Sequence, residues 1–166
     1  ACSASIERPR NRIYQRWLLQ RLVRQTLADP FGVSPKEKES LTKSPPRSIR
    51  AFDAAVTAPR WGFASVDDYY ECASPLPFLL TNRWALPPTL LVQALDDPWV
   101  PAAAAEQLRM AMTTQQSAQH DPVSVLLTQT GGHNGFHAPG DNLLSGCWSD
   151  RVASAWLKQL SAAADH

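Results

Sequence analysis

Cysteine is scarce in this chain: three residues, at positions 2, 72 and 147 of 166, are too few and too scattered to staple a fold. A chain of this length can bury a core without such staples, and unpaired thiols suit a reducing compartment. The expectation is therefore a soluble, cytoplasmic protein. No apolar run approaches the roughly 18 residues that read as a membrane span, and no basic-then-apolar leader precedes the first helix. Internal repeats are missing too, and Ala102 to Ala105 is the only low-complexity tract. Net charge is nearly absent, with 16 basic against 15 acidic side chains.

That balance conceals an asymmetry. Residues 1–50 hold eleven Lys and Arg against four Asp and Glu, whereas residues 51–166 hold five against eleven. Six arginines, at positions 8, 10, 12, 16, 21 and 24, fall in one segment. The plain reading is a solvated helix face, and the sharper one is a surface for phosphates, anionic lipid or an acidic partner. No recognition-helix or aromatic-interleaved pattern accompanies the arginines, so nucleic acid is not expected as a partner.

Hydrophobic spacing divides the chain into two styles. From Asn11 to Leu27, Ile13, Tyr14, Trp17, Leu18, Leu22, Val23 and Leu27 recur at three- and four-residue steps, which predicts an amphipathic helix. Asp29-Pro30-Phe31-Gly32 stops it, and residues 29–47, rich in Pro, Ser, Lys and Glu, read as an exposed, mobile loop. Ser48 is placed to cap a helix through Thr57, ended by Pro59, and Ser65 with Asp68 resembles a capping box for Val66 to Cys72. Residues 1–75 are thus short helices joined by loops. Residues 76–166 read differently: Thr89 to Ala94 and Val123 to Thr128 are short, nearly apolar runs that suit strands buried on both faces of a parallel sheet. Helices are expected from about Pro101 to Met112 and from Ser149 to Ala163, the latter with Val152, Trp156 and Leu160 on one stripe. The fold class is α/β, with a βαβα unit following a helical segment.

Ligands in parallel α/β sheets sit beyond the carboxyl ends of the strands, which directs attention to two loops. Asp96-Asp97-Pro98 follows the first strand, and Gly131-Gly132-His133-Asn134-Gly135-Phe136-His137 follows the second. An acid after one strand and a histidine after the next is the order of the last two members of an α/β-hydrolase triad. Neighbouring side chains of an extended backbone point opposite ways, so one aspartate is expected to face the histidine loop. Pro98 biases Asp97 to extended geometry, which favours it. His133 is preferred because the two glycines let the chain fold back, with His137 in reserve. His133 and His137 have metal-pair spacing, but the glycines and Pro139 oppose the helix a zinc site needs, so no metal is expected. Cys72 and Cys147 read as packed small side chains rather than nucleophiles.

Four stretches add a resemblance. They are Ile49 to Pro59, Gly62-Phe63 through Asp68-Tyr69-Tyr70 to Ala73-Ser74, Ala94 to Pro98, and Gly131 to Phe136. In this order they resemble the bacterial YheT-type α/β-hydrolases, whose eukaryotic relatives are α/β-hydrolase-domain esterases and acylglycerol lipases. The resemblance implies that Asp97 is the triad acid and His133 the base, that residues 1–75 form a cap, and that residues 76–166 carry the last strands and helices of the core. It implies a carboxylic ester or lipid-like substrate and no cofactor.

One family element is missing. The nucleophile elbow G-x-S-x-G occurs nowhere in the chain, which then corresponds to the C-terminal half of a serine hydrolase and is expected to be inactive alone. Its expected partner is the missing N-terminal half, or a second copy through an exposed sheet edge. The competing reading is a non-catalytic module that binds through its basic helix or that edge.

Overall fold

The computed structural model describes residues 2–114, 121–142 and 146–164. Two compact units divide the chain, Ala1–Ser74 and Pro75–His166.

The first unit is helical. It runs α1 (Cys2–Ile6), a 3-10 turn (Pro9–Asn11), α2 (Arg12–Ala28), α3 (Pro35–Lys43), α4 (Ile49–Phe52), a π-type turn (Asp53–Thr57), α5 (Ala58–Arg60) and α6 (Val66–Ala73). α2 coincides with the expected amphipathic helix, but its buried residue is Leu19, while Ile13 and Trp17 at its amino end are exposed. Leu19 packs with Leu41, Phe52 and Val56, and Leu22, Val23, Leu27 and Ile49 close around them. Each buried leucine contributes about 1.5–3 kcal/mol by leaving water.

Residues 29–47 are not a loop throughout, as their composition suggested. Ser34 caps α3: its Oγ accepts the Glu37 N–H at 3.2 Å and the Glu37 carboxylate accepts the Ser34 N–H at 2.8 Å. Pro35 stands at the first helical position, where its missing N–H costs nothing. Leu41 then anchors the helix in the core. Glu37 also accepts from Arg60 Nε at 2.9 Å, tying α3 to α5. Arg60 and then Ser34 hold the Glu37 carboxyl down at about 2, against 4.5 ordinarily. A carboxyl depressed in the folded state stabilises above its unfolded pKa and loses that contribution as pH falls towards the folded one. Glu37→Gln is expected to lower stability by about 1 kcal/mol at pH 7, the difference closing between pH 5 and 2, as read by urea denaturation across that range. A pH-independent difference would contradict this assignment.

Pro59 does not end the helical segment that Ser48 begins, which continues through α5 to Arg60. A proline inside a helix crowds the carbonyl four residues back. The π-type turn just before it shifts the ladder by one residue, with the Ala58 N–H donating to Asp53 O. Asp53 accepts from Thr57 Oγ1 at 2.7 Å and from Tyr70 Oη at 2.6 Å, while Arg50 donates to both Asp67 oxygens at 2.8 and 2.6 Å. α6 is thereby fastened to the α4 segment, and Ser65 caps it through the Asp68 N–H.

The second unit runs α7 (Pro75–Asn82), a 3-10 turn (Arg83–Ala85), β1 (Thr89–Ala94), α8 (Ala103–Thr114), β2 (Val123–Thr128) and α9 (Trp148–Ala164). β1 and β2 pair in parallel, in register from Thr89↔Val123 to Ala94↔Thr128. This mixture of helices with a parallel strand pair is an α/β arrangement. The strands are shallower than their apolar sequences suggested: only Ala94 and Val123 are fully buried. The reason lies in the two-stranded sheet, each strand having a neighbour on one side alone among the described residues. In α9 Val152, Trp156 and Leu160, the expected stripe, are half-buried, as are Trp148 and Ser149 at its start. Among the described residues, no helix is long and apolar enough to cross a membrane.

Candidate active site

Parallel pairing brings the carboxyl ends of β1 and β2 side by side, and the Leu95 N–H still donates to Thr128 O at 2.8 Å. Beyond this point the first loop turns, with the Asp97 N–H reaching back to Ala94 O at 3.4 Å. The side chain of Asp97 then folds over its own loop: Oδ1 accepts the N–H groups of Trp99 and Val100 at 2.8 and 2.9 Å. These bonds fix the carboxylate plane before any partner arrives. Its second oxygen, Oδ2, lies 3.0 Å from Nδ1 of His133.

The histidine reaches that position through its glycines. Gly132 has φ +54°, a left-handed conformation that costs glycine least, and a Cβ on Gly131 would lie 2.6 Å from the Phe136 ring. The tight turn is closed by the Gly135 N–H donating to Gly131 O at 2.9 Å. A further bond spans the loops: Asp96 Oδ1 accepts the Gly132 N–H at 2.8 Å. Both aspartates therefore engage the histidine loop, contrary to the expectation that only one would. Side-chain alternation holds within a strand, and the turn after Ala94 breaks it. Asp97 holds the imidazole, and Asp96 holds the backbone beside it.

Burial and charge separate the roles within the pair. The Asp97 side chain is 5% exposed and that of His133 33%. Burial opposes the charge on Asp97, but the N–H donors of Val100 and Trp99, followed by His133, outweigh it and hold the carboxyl below its ordinary range. A carboxylate can only accept, so Nδ1 of His133 carries the hydrogen. Nε2 is left as an acceptor, with no hydrogen-bond partner among the described residues. The ring of Trp99 packs on the imidazole at 4.6 Å between centroids, tilted by 59°. Sequence reasoning missed Trp99, although an aromatic directly after a turn-forming Asp-Pro was the available signal.

The remaining candidates lie elsewhere. His137 is 76% exposed and stands 3.5 Å from Asp141, away from the Asp97 carboxylate. Asp141 accepts from the Ala138 N–H at 2.7 Å and from Arg151 at 2.7 Å, and it is these bonds, Ala138 first, that keep its carboxyl low. Among the described residues no group of three His, Cys, Asp or Glu side chains could hold a metal. Cys72 is exposed rather than packed, because α6 buries none of its residues. Cys147 is half-buried directly before α9, with Sγ 2.9 Å from Ser149 Oγ, so a helix N-terminus does adjoin it.

An acid held by backbone donors and a histidine with one free nitrogen, at the ends of adjacent parallel strands, can orient and relay a proton. Curated relatives share this stretch of sequence. The chain is 34% identical over 161 residues to the Escherichia coli protein named "Putative esterase YheT", an alignment covering 95% of this chain and 43% of that one. It is 29% identical over 148 residues to human phospholipase ABHD3, covering 89% of this chain and 32% of the relative. The chain belongs to the YheT-type α/β-hydrolase esterase family. It spans less than half the length of these relatives. No family model matches the chain, and no solved structure matches it significantly.

Proposed function

We propose that this YheT-type chain supplies the acid and the base of a serine hydrolase acting on carboxylic esters with lipid-like acyl groups. The observation that carries the reading is the 3.0 Å contact between Asp97 Oδ2 and His133 Nδ1 beyond the carboxyl ends of β1 and β2. In that role Nε2 takes the proton of a serine hydroxyl as its oxygen attacks the ester carbonyl. The imidazolium formed is stabilised by Asp97 and returns the proton to the leaving alkoxide, leaving an acyl-enzyme. Water then repeats the sequence to release the acid and regenerate the serine.

The chain contains no G-x-S-x-G, so the serine and the oxyanion donors come from a preceding segment. The relatives' greater length supports this, and the half-covered strand pair offers an edge on which such a segment, or failing it a second copy, would pair. The cap is residues 1–75. Thr128 Oγ1, buried at the carboxyl end of β2 without a hydrogen-bond partner among the described residues, is available to a further polar group there. Cys72 and Cys147 are free thiols, in keeping with the cytoplasm. A purely structural or binding role gives no reason for a buried carboxylate aimed at a half-exposed imidazole.

The test is turnover of p-nitrophenyl butyrate. The 166-residue chain alone is expected to give none above buffer, and a polypeptide in which a G-x-S-x-G segment precedes it is expected to turn over. Hydrolysis by the chain alone would overturn the assignment of the nucleophile, and silence of the longer polypeptide would overturn the reading as a whole.

A further inference from the structure

The basic residues of the first unit are not dispersed over its surface. Arg12, Arg16 and Arg24 occupy one row of α2 at four-residue steps, with Gln20 between them. Side chains four apart on a helix are neighbours, and the like-charged Arg12–Arg16 pair costs a few tenths of a kcal/mol, about 0.2–0.5. The first turn of α2 holds no acidic residue, so Arg12 also faces the positive end of the helix dipole. None of the three arginine side chains forms an ion pair or hydrogen bond among the described residues, and neither does that of Arg47. The four exposed guanidiniums have no anionic side chain paired with them among the described residues.

These four side chains line one cavity, of about 1140 Å³. Leu19, Val23 and Leu27 of the adjoining row line it too. Its size is at or slightly above the range of ligand-sized cavities, about 300–1,000 Å³. No aromatic side chain borders it, which leaves a nucleic-acid base nothing to stack on. A small inorganic anion would leave the half-buried side chains of Val23 and Leu27 uncovered. A concave space with cations along one row and methyl groups along the next matches a molecule that carries both features.

We propose that this groove binds a single-chain anionic amphiphile, its phosphate or carboxylate head paired with arginines of the row and its alkyl chain along Val23 and Leu27. Neither Asp97 nor His133 is among its lining residues, and binding there does not depend on their role. Alkyl phosphates and fatty acids share the required chemistry.

Dodecyl phosphate tests it, titrated below its micelle concentration into the 166-residue chain by calorimetry. Binding at micromolar concentration is expected, with inorganic phosphate and uncharged dodecyl maltoside each at least about tenfold weaker, the step of one lost charge-assisted contact. The variant Arg12→Gln/Arg16→Gln/Arg24→Gln should lose at least that factor while melting no lower than the parent, because the repulsion is relieved. The matching lysine variant should keep most of the affinity, which covers a glutamine variant that fails to fold. Equal affinity for inorganic phosphate or for the maltoside, capture by anionic vesicles without binding of the monomeric amphiphile, or full affinity in the glutamine variant would each overturn the proposal.

Discussion

Asp97→Asn, placed in a polypeptide that also carries the serine segment, is expected to lower kcat for ester hydrolysis by about 10,000-fold with little change in KM. The size follows from geometry rather than from loss of charge alone. Asparagine can keep its oxygen on the N–H groups of Trp99 and Val100, where Asp97 Oδ1 accepts now at 2.8 and 2.9 Å. Its amide nitrogen then occupies the place of Oδ2 and can only donate towards His133 Nδ1. That forces the hydrogen onto Nε2, the nitrogen that must be free to receive the serine proton. The substitution reverses the tautomer without moving the ring. Asp96→Asn is a useful contrast, since Asp96 holds the Gly132 N–H at 2.8 Å and an amide oxygen can do the same. Its kcat is expected to stay within about tenfold of the parent, as befits a neutral replacement of one hydrogen bond. Equal losses from the two variants would contradict the division of roles.

The second large effect is on stability. Arg83 is fully buried, and its Nε donates to Asp121 at 2.6 Å, whose side chain is only 9% exposed. Arg83 also reaches Leu80 O at 3.3 Å and lies over the Trp84 ring at 4.3 Å, while Asp121 accepts the Val123 N–H at 3.0 Å. The pair stands before the amino ends of both strands, next to the Thr89 N–H bond to Pro122 O, and thus at the end remote from Asp97 and His133. Removing one partner of a buried ion pair strands the other charge, and Arg83→Met is expected to cost about 3–5 kcal/mol by urea denaturation. Arg83→Met/Asp121→Asn should recover much of that loss, because the orphaned carboxylate is gone and an amide can still accept from Val123. A single variant within about 1 kcal/mol of the parent would mean that solvent reaches the pair after all.

These two pairs mark what could and could not be read from the residues alone. The strand-end acid and histidine were legible because parallel strands present their ligands at one end, and the order Asp then His is tied to that topology. The part played by Asp96 was not, because the alternation rule ends where the strand does. Arg83 and Asp121, 38 residues apart, carry no local signal of their contact. Periodicity located α2 and its core-facing Leu22, Val23 and Leu27, yet it also placed Ile13 and Trp17 on the buried stripe and left out Leu19. Ser34-Pro35-Lys36-Glu37 is a complete helix-start signature, overshadowed by the polar composition around it and by a single apolar anchor, Leu41. Strand positions were legible as well. Their depth was not, since burial of a strand depends on neighbours that its own residues do not specify.

In the proposed mechanism His133, held by Asp97, is the base that activates a serine. The most direct measurement is the kcat of His133→Ala beside that of His137→Ala, in the polypeptide carrying the serine segment and with p-nitrophenyl butyrate as substrate. His133→Ala is expected to fall by at least about 10,000-fold, and His137→Ala to remain near the parent. Retained turnover in His133→Ala, or an equal collapse in His137→Ala, would contradict it.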